Sequence, residues 1–162
     1  MPEKRTIQRA RKHRRAGKSP STQAGEFVRE EIEHIRKGRH GAASPQQAIA
    51  IGLSKARRAG VALPAPAKGK VSEETRRKAE RDVEQGRSKA GPRSPRRARA
   101  TARALRRKGR EAVSHAALSR QAKSAARRRG AAARKAAARR AARTRAARGR
   151  KPPRGRGRAR KA

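Results

Sequence analysis

The chain has 162 residues, 51 of them Lys or Arg against 11 Asp or Glu, for a formal charge of +40 at pH 7. Its hydrophobic residues are 36 Ala and only 16 Val, Ile, Leu, Met or Phe, which excludes a hydrophobic core of ordinary size and predicts extensive disorder. Phe27 is the one aromatic and Cys is absent, so disulfides, a thiolate nucleophile and cysteine metal sites are excluded.

Charge sets the organisation. Residues 1–20 carry +7, residues 21–63 and 64–90 only +3 each, residues 91–111 +8 and residues 112–162 +19. Residues 1–20 read as a basic disordered arm. Residues 21–63 hold the bulk of the large apolar side chains. Phe27, Val28, Ile32 and Ile35 recur at helical spacing and predict a helix over residues 23–37, stopped by Gly38. After a loop at residues 38–43, Ser44-Pro45-Gln46-Gln47 announces a second helix: Ser44 caps, Pro45 takes the first position, and Gln47 closes a capping box. That helix presents Ile49, Leu53 and Ala56 on one stripe and stops at Gly60. The two form a marginal hairpin whose apolar residues Phe27, Val28, Ile32, Ile35, Ile49 and Leu53 make either a small core or a face for a partner, including a second copy of the chain.

In residues 64–90 a linker leads to a third, polar helix from Ser72 to Gln85, stopped by Gly86 and with Val83 as its large apolar residue. Residues 91–162 are an Arg/Ala-rich basic tail in which Gly109, Gly130 and Gly149 delimit segments 94–108, 111–129 and 131–148. Ala and Arg favour helix, whereas like charges at i,i+4, such as Lys135 with Arg139 and Arg139 with Arg143, oppose it. The tail is therefore expected to be helical at most conditionally. The predicted class is mostly α with extensive disorder: a two-helix hairpin, a polar helix and a polycationic tail.

Catalytic and metal signatures are sparse. Glu31 and His34 have the Glu-x-x-His spacing of di-metal carboxylate sites, with His40 nearby, but a single copy does not build such a site. The expected arrangement is an exposed polar helix face with Glu30 and His34 at i,i+4. No general acid/base pair, nucleophile constellation or phosphate-gripping loop is visible. The expectation is a protein that is not an enzyme, with no metal, cofactor or small-molecule substrate. The longest apolar run, residues 48–53, is far short of the roughly 20 residues that span a bilayer, and no secretory or myristoylation signal is seen, so a cytoplasmic location, at the nucleoid, is expected.

A charge of +40 exceeds the roughly 2 to 8 that solubility needs, which points to a polyanionic partner. The sequence predicts non-sequence-specific DNA binding by phosphate neutralisation, carried by Arg96, Arg97, Arg127, Arg128, Arg129, Arg134, Lys135, Arg139, Arg140, Arg143, Arg154, Arg156 and Arg158. Association with RNA or ribosomes, or a partner-binding hairpin localised by its tail, are the alternatives. Gln46 and Gln47 open a helix that follows a helix, as adenine-reading residues of a helix-turn-helix would, but the six-residue loop and the cap role of Gln47 favour the simpler reading.

Four resemblances accompany these residues. The stretches 25–32 (GEFVREEI) and 47–60 (QAIAIGLSKARRAG) resemble a family of short basic bacterial proteins of unassigned function, often labelled DNA-binding. Where that family commonly carries a basic residue before the capping Ser, this chain has Ala43. The resemblance implies DNA binding and supplies no catalytic residues. The last third is similar in composition to bacterial histone-H1-like proteins, whose tails bind DNA without reading sequence. Ser94-Pro95-Arg96-Arg97 is similar to the Ser-Pro-basic-basic units of histones, though a helix cap explains it as well, and Pro153-Arg154-Gly155-Arg156 resembles an AT-hook core, with Gly157 where the hook has Pro.

Overall fold

The computed structural model describes residues 2–88 and 94–149, with side chains through residue 146. Seven α-helices run through the described residues: α1 (Lys4–Arg15), α2 (Pro20–Arg36), α3 (Pro45–Arg58), α4 (Glu73–Ser88), α5 (Pro95–Arg106), α6 (His115–Arg128) and α7 (Gly130–Gly149), with a short 3-10 turn at Glu111–Val113. The chain divides into two units, Met1–Gln121 and Ala122–Ala162.

In the first unit α2 is central, with α1 and α3 packed on it and α4 packed on α3. Ser19 caps α2 through Thr22 N–H and Ser44 caps α3 through Gln47 N–H at 3.1 Å, each followed by Pro at the first helical position. The Gln47 side chain accepts from Ala43 N–H at 2.7 Å, one residue earlier than the capping box places it. Gly38 and Gly60 have φ of +72° and +82°, the left-handed conformation that ends α2 and α3 where the sequence predicts.

Two apolar clusters hold this unit together. In the first, Phe27, 1% exposed, packs with Ala10 of α1, Ala24, Ala56 and Val61, flanked by Ile7, Leu53 and Leu63. In the second, Ile35 packs with Ala42, Ala48 and Val113, flanked by Ile32 and Ala112. Loop residues 41 and 42 bond the end of α5 and the turn after it: Gly41 N–H donates to Leu105 O at 3.0 Å and Ala42 N–H to Gly109 O at 3.2 Å. Arg36 Nε and Nη2 reach the Val113 carbonyl at 3.3 Å.

Several sequence expectations are corrected. The predicted extensive disorder is overturned by seven helices and two buried clusters: six of the ten buried apolar residues are Ala, whose small side chain builds a core by letting helices approach closely. The arm at residues 1–20 contains α1, whose Thr6 and Ala10 are buried. The polar third helix does not stop at Gly86. It runs to Ser88, and Gly86 lies against α3, where a Cβ would stand 2.1 Å from the Arg57 carbonyl oxygen. Ala79 is buried, and Asp82 accepts from Ser54 Oγ at 2.5 Å and pairs with Arg58 at 3.4 Å.

The conditional helicity of the tail is corrected too: α5, α6 and α7 form in the chain by itself. Two of its predicted breaks hold in place, since α5 ends before Gly109 and Gly130, with φ of +73°, opens α7 after α6, whereas Gly149 lies inside α7 as its last described residue. In α7 the like-charge pairs at i,i+4, Lys135 with Arg139 and Arg139 with Arg143, cost up to about 1 kcal/mol together. Its ten Ala residues, each favoured by several tenths of a kcal/mol over ordinary residues, outweigh that. Val113, nominally part of the tail, is 1% exposed in the second cluster and belongs to the core.

Candidate nucleic-acid interface

Where carboxylates and cations meet among the described residues, the carboxylates are Glu3, Glu26, Glu30, Glu31, Glu73, Glu74, Glu80 and Asp82. On α4, Arg76 bridges Glu73 at 2.6 Å and Glu80, and Lys78 meets Glu74 at 2.6 Å. Those bonds hold the Glu73 and Glu74 carboxyls below the usual carboxylate range, through Arg76 and Lys78 respectively. The first half of the chain thus neutralises much of its own charge locally.

The second half has nothing comparable. Residues 94–149 contain 20 Lys or Arg and one acid, Glu111. Arg96 and Arg97 lie exposed in the first turn of α5, where Pro95 takes the first position but Ser94 makes no side-chain cap bond. Arg127 and Arg128 end α6 and Arg129 links it to α7, all exposed. Arg134, Lys135, Arg139, Arg140 and Arg143 are exposed on α7. The bonds these cations make go to neutral groups: Arg128 to Ser124 Oγ at 2.9 Å, Arg134 to Ala126 O at 3.2 Å and Arg140 to Ala136 O at 3.4 Å. Arg154, Arg156 and Arg158, with the hook-like motif, lie outside the described residues.

Cations surround α7 rather than forming one face. Its densest strip is the i,i+4 row Lys135, Arg139, Arg143 with Arg140 beside it, over a shallow depression floored by Ala132 and Ala136. The small side chains keep the helix slender between long cationic arms.

The predicted hairpin residues take two positions. Phe27 and Ile35 are buried by the chain itself, while Val28, Ile32, Ile49 and Leu53 are half-buried, Leu53 against the first cluster and Ile32 against the second. Gln46 Nε2 donates to Gln121 Oε1 at 2.6 Å, and Gln47 is engaged at its own cap.

The expected exposed face around Glu30 and His34 is a further correction. Glu30, Glu31 and His34 are buried, because α1 and the loop after α2 fold over this side of α2. Glu31 is fully buried and reaches Lys55 Nζ of α3 at 2.5 Å and His40 Nε2 at 3.2 Å. His34 Nε2 lies 2.9 Å from Glu3 Oε1 and 4.0 Å from Glu30 Oε1, and Arg39 reaches Glu3 at 3.0 Å. The His34 bond, then Arg39, lowers the Glu3 carboxyl below its ordinary range. A second buried centre, Arg57, donates to Leu63 O at 3.3 Å and Pro64 O at 3.1 Å, and burial lowers its affinity for the proton. No polarity pattern in the sequence distinguishes buried Glu31 from exposed Glu33; only the docking of α1 and α3 does.

No helix among the described residues is long and apolar enough to cross a membrane. The chain matches no protein-family model, no curated protein and no solved structure.

Proposed function

We propose that this protein binds duplex DNA without reading its sequence, neutralising phosphates with the cations of α5, α6 and α7, as a nucleoid-associated protein of the cytoplasm. The observation that carries the reading is the run of cations over residues 94–149, 20 against one acid, of which the 19 through residue 146 are exposed and bonded to no carboxylate among the described residues. Close like charges of this number are stabilised by a polyanion, whose condensed counterions they release.

Shape agrees with charge. α7, at 20 residues, is roughly 30 Å long, about nine base pairs at 3.4 Å each. A helix of small side chains fits a major groove about 12 Å wide, with the row Lys135, Arg139, Arg143 reaching the phosphates along one edge. Phe27, the one aromatic, is buried, so no aromatic platform exists for stacking unpaired bases, which favours duplex over single strands. In this reading α1 to α4 are a folded carrier, and the protein is not an enzyme. The resemblance to histone-H1-like tails agrees with it in composition.

The test is competition for a labelled DNA duplex by unlabelled duplex DNA, duplex RNA and single-stranded DNA of equal length. Duplex DNA of unrelated sequences should compete equally with one another and at least as well as the other two. Displacement only by RNA would assign the protein to RNA instead, and strong preference for one DNA sequence would overturn the phosphate-only mechanism.

A further inference from the structure

The buried cluster on α2 has an electrostatic inconsistency that a proton or a metal ion must resolve. His40 Nδ1 lies 3.2 Å from the Gly41 carbonyl oxygen, which can only accept, so Nδ1 carries the ring proton. In a neutral ring Nε2 then presents a lone pair, and 3.2 Å from it is Oε1 of the fully buried Glu31. Oε1 accepts no hydrogen bond, and neither does the buried Oε1 of Glu30. Two acceptors facing each other in a buried site repel unless a cation stands between them.

The spacing suits a metal. Ligands about 2.0 Å from a tetrahedral zinc ion are roughly 3.3 Å from one another, close to the observed 3.2 Å between His40 Nε2 and Glu31 Oε1. His34 supplies a third donor, one atom from each of Glu31, His34 and His40 lying within 4.8 Å of the others. The His34 and His40 rings stand edge to face at 6.4 Å, and because His34 Nε2 is held 2.9 Å from Glu3 Oε1 and 2.9 Å from Arg39 Nη1, Nδ1 is the nitrogen His34 would give to the ion. Gly38 makes the arrangement, folding the chain back so that His40 returns over the last turn of α2.

Local charge also permits it. Glu3, Glu30 and Glu31 bring three negative charges against Arg39 and Lys55, leaving the cluster net negative inside a protein of +40. Lys55 occupies Oε2 of Glu31 at 2.5 Å, so the metal-facing atom is Oε1, and Lys55 acts as the partner that orients the ligand. Two imidazoles and one carboxylate select a borderline transition ion over Mg²⁺ or Ca²⁺.

We propose that Glu31, His34 and His40 bind one divalent transition-metal ion, with zinc as the class representative and a water in the fourth position. Its effect is structural: it ties the loop after α2 to the middle of α2, beside the contact that Lys55 makes from α3.

Chelator-stripped full-length protein is titrated with ZnCl₂ by calorimetry in the absence of nucleic acid, with thermal unfolding followed in parallel. One ion should bind per chain and raise the unfolding temperature, and Co²⁺ should give the visible absorption of a four-coordinate site. His34→Gln and His40→Gln should each weaken binding by at least about tenfold, the scale on which even partners outside the ligand set act. His115→Gln, at an exposed histidine at the start of α6, should leave affinity unchanged. His40→Gln is the decisive variant if His34→Gln fails to fold, and circular dichroism reports which folds. Absence of saturable binding at one ion per chain, or equal affinity in His40→Gln and His115→Gln, overturns the proposal and makes the cluster an ion-pair network with a protonated His40.

Discussion

A methyl group added at Gly52 in α3 should weaken the fold, and the same methyl at Gly25 in α2 should strengthen it. Both glycines lie inside helices, where Gly→Ala alone contributes about 0.8–1.0 kcal/mol of stability. At Gly25 a Cβ meets nothing within 4 Å, so that gain stands by itself. At Gly52 it would lie 2.6 Å from Val28 Cα, 2.9 Å from Val28 N and 3.0 Å from Val28 Cγ2. Ordinary contact begins at 3.4 Å, so α2 and α3 must separate by at least 3.4 − 2.6 = 0.8 Å. The nearest obstacle is backbone, which no rotamer change relieves. Overpacking of this kind costs typically 1–3 kcal/mol, and separation also loosens both apolar clusters. We expect Gly52→Ala to lose about 1–2 kcal/mol net and Gly25→Ala to gain up to about 1 kcal/mol. For a chain of 162 residues each kcal/mol moves the unfolding temperature by about 2–4 °C. Urea and thermal denaturation followed by far-UV circular dichroism would resolve the opposite signs. A Gly52→Ala protein as stable as wild type or more so would refute the close approach of α2 and α3.

Arg57→Ala should destabilise by about 2–4 kcal/mol, the scale of losing two charged hydrogen bonds, to Leu63 O and Pro64 O. DNA affinity, measured by anisotropy well below the unfolding transition, should be unchanged because this cation is buried. Glu3, Glu73 and Glu74 all have folded-state affinities for the proton below the ordinary carboxylate value of 4.5. Each therefore contributes stability that is present above that value and is lost as pH falls through the lower folded one. Urea midpoints should fall on acidification below about pH 4.5, and Glu3→Gln should flatten that fall; an unchanged pH profile would exclude the Glu3–His34 bond. Deleting residues 130–162 removes 14 of the 51 cations and should lower DNA affinity more than about tenfold, with the salt dependence becoming shallower. The thermal transition of the Met1–Gln121 unit should persist in that truncation.

The helix boundaries of α2 and α3 were legible because their signals are local: Ser44-Pro45 opens α3, and Gly38 and Gly60 close the two helices. The helical segments of the tail were legible for the same reason, since Gly109 and Gly130 interrupt long Ala/Arg stretches. What escaped depends on neighbours. In sequence α1 resembles a basic arm because Ile7 is its one large apolar residue, yet Ala10 seats against the Phe27 cluster. Gly86 looks like a stop in sequence, but in the fold it admits the Arg57 carbonyl. The pair Glu31 and His34 was visible as a spacing, but its burial follows from α1 and α3 covering that side of α2. The exposed cations were the easiest feature to find, since the run after Glu111 without an acid needs no tertiary contact to read.

Salt dependence of DNA affinity tests the central claim most directly. Fluorescence anisotropy of a short duplex with the full-length protein, repeated from about 50 to 200 mM salt, gives the number of phosphates neutralised. Engagement of about ten of the cations in residues 94–149 predicts a slope of log K against log salt near −9, a loss of roughly five decades across that range. A slope shallower than about −3 would mean that most of these cations contact no phosphate, and the phosphate-neutralising role of α5, α6 and α7 would be wrong.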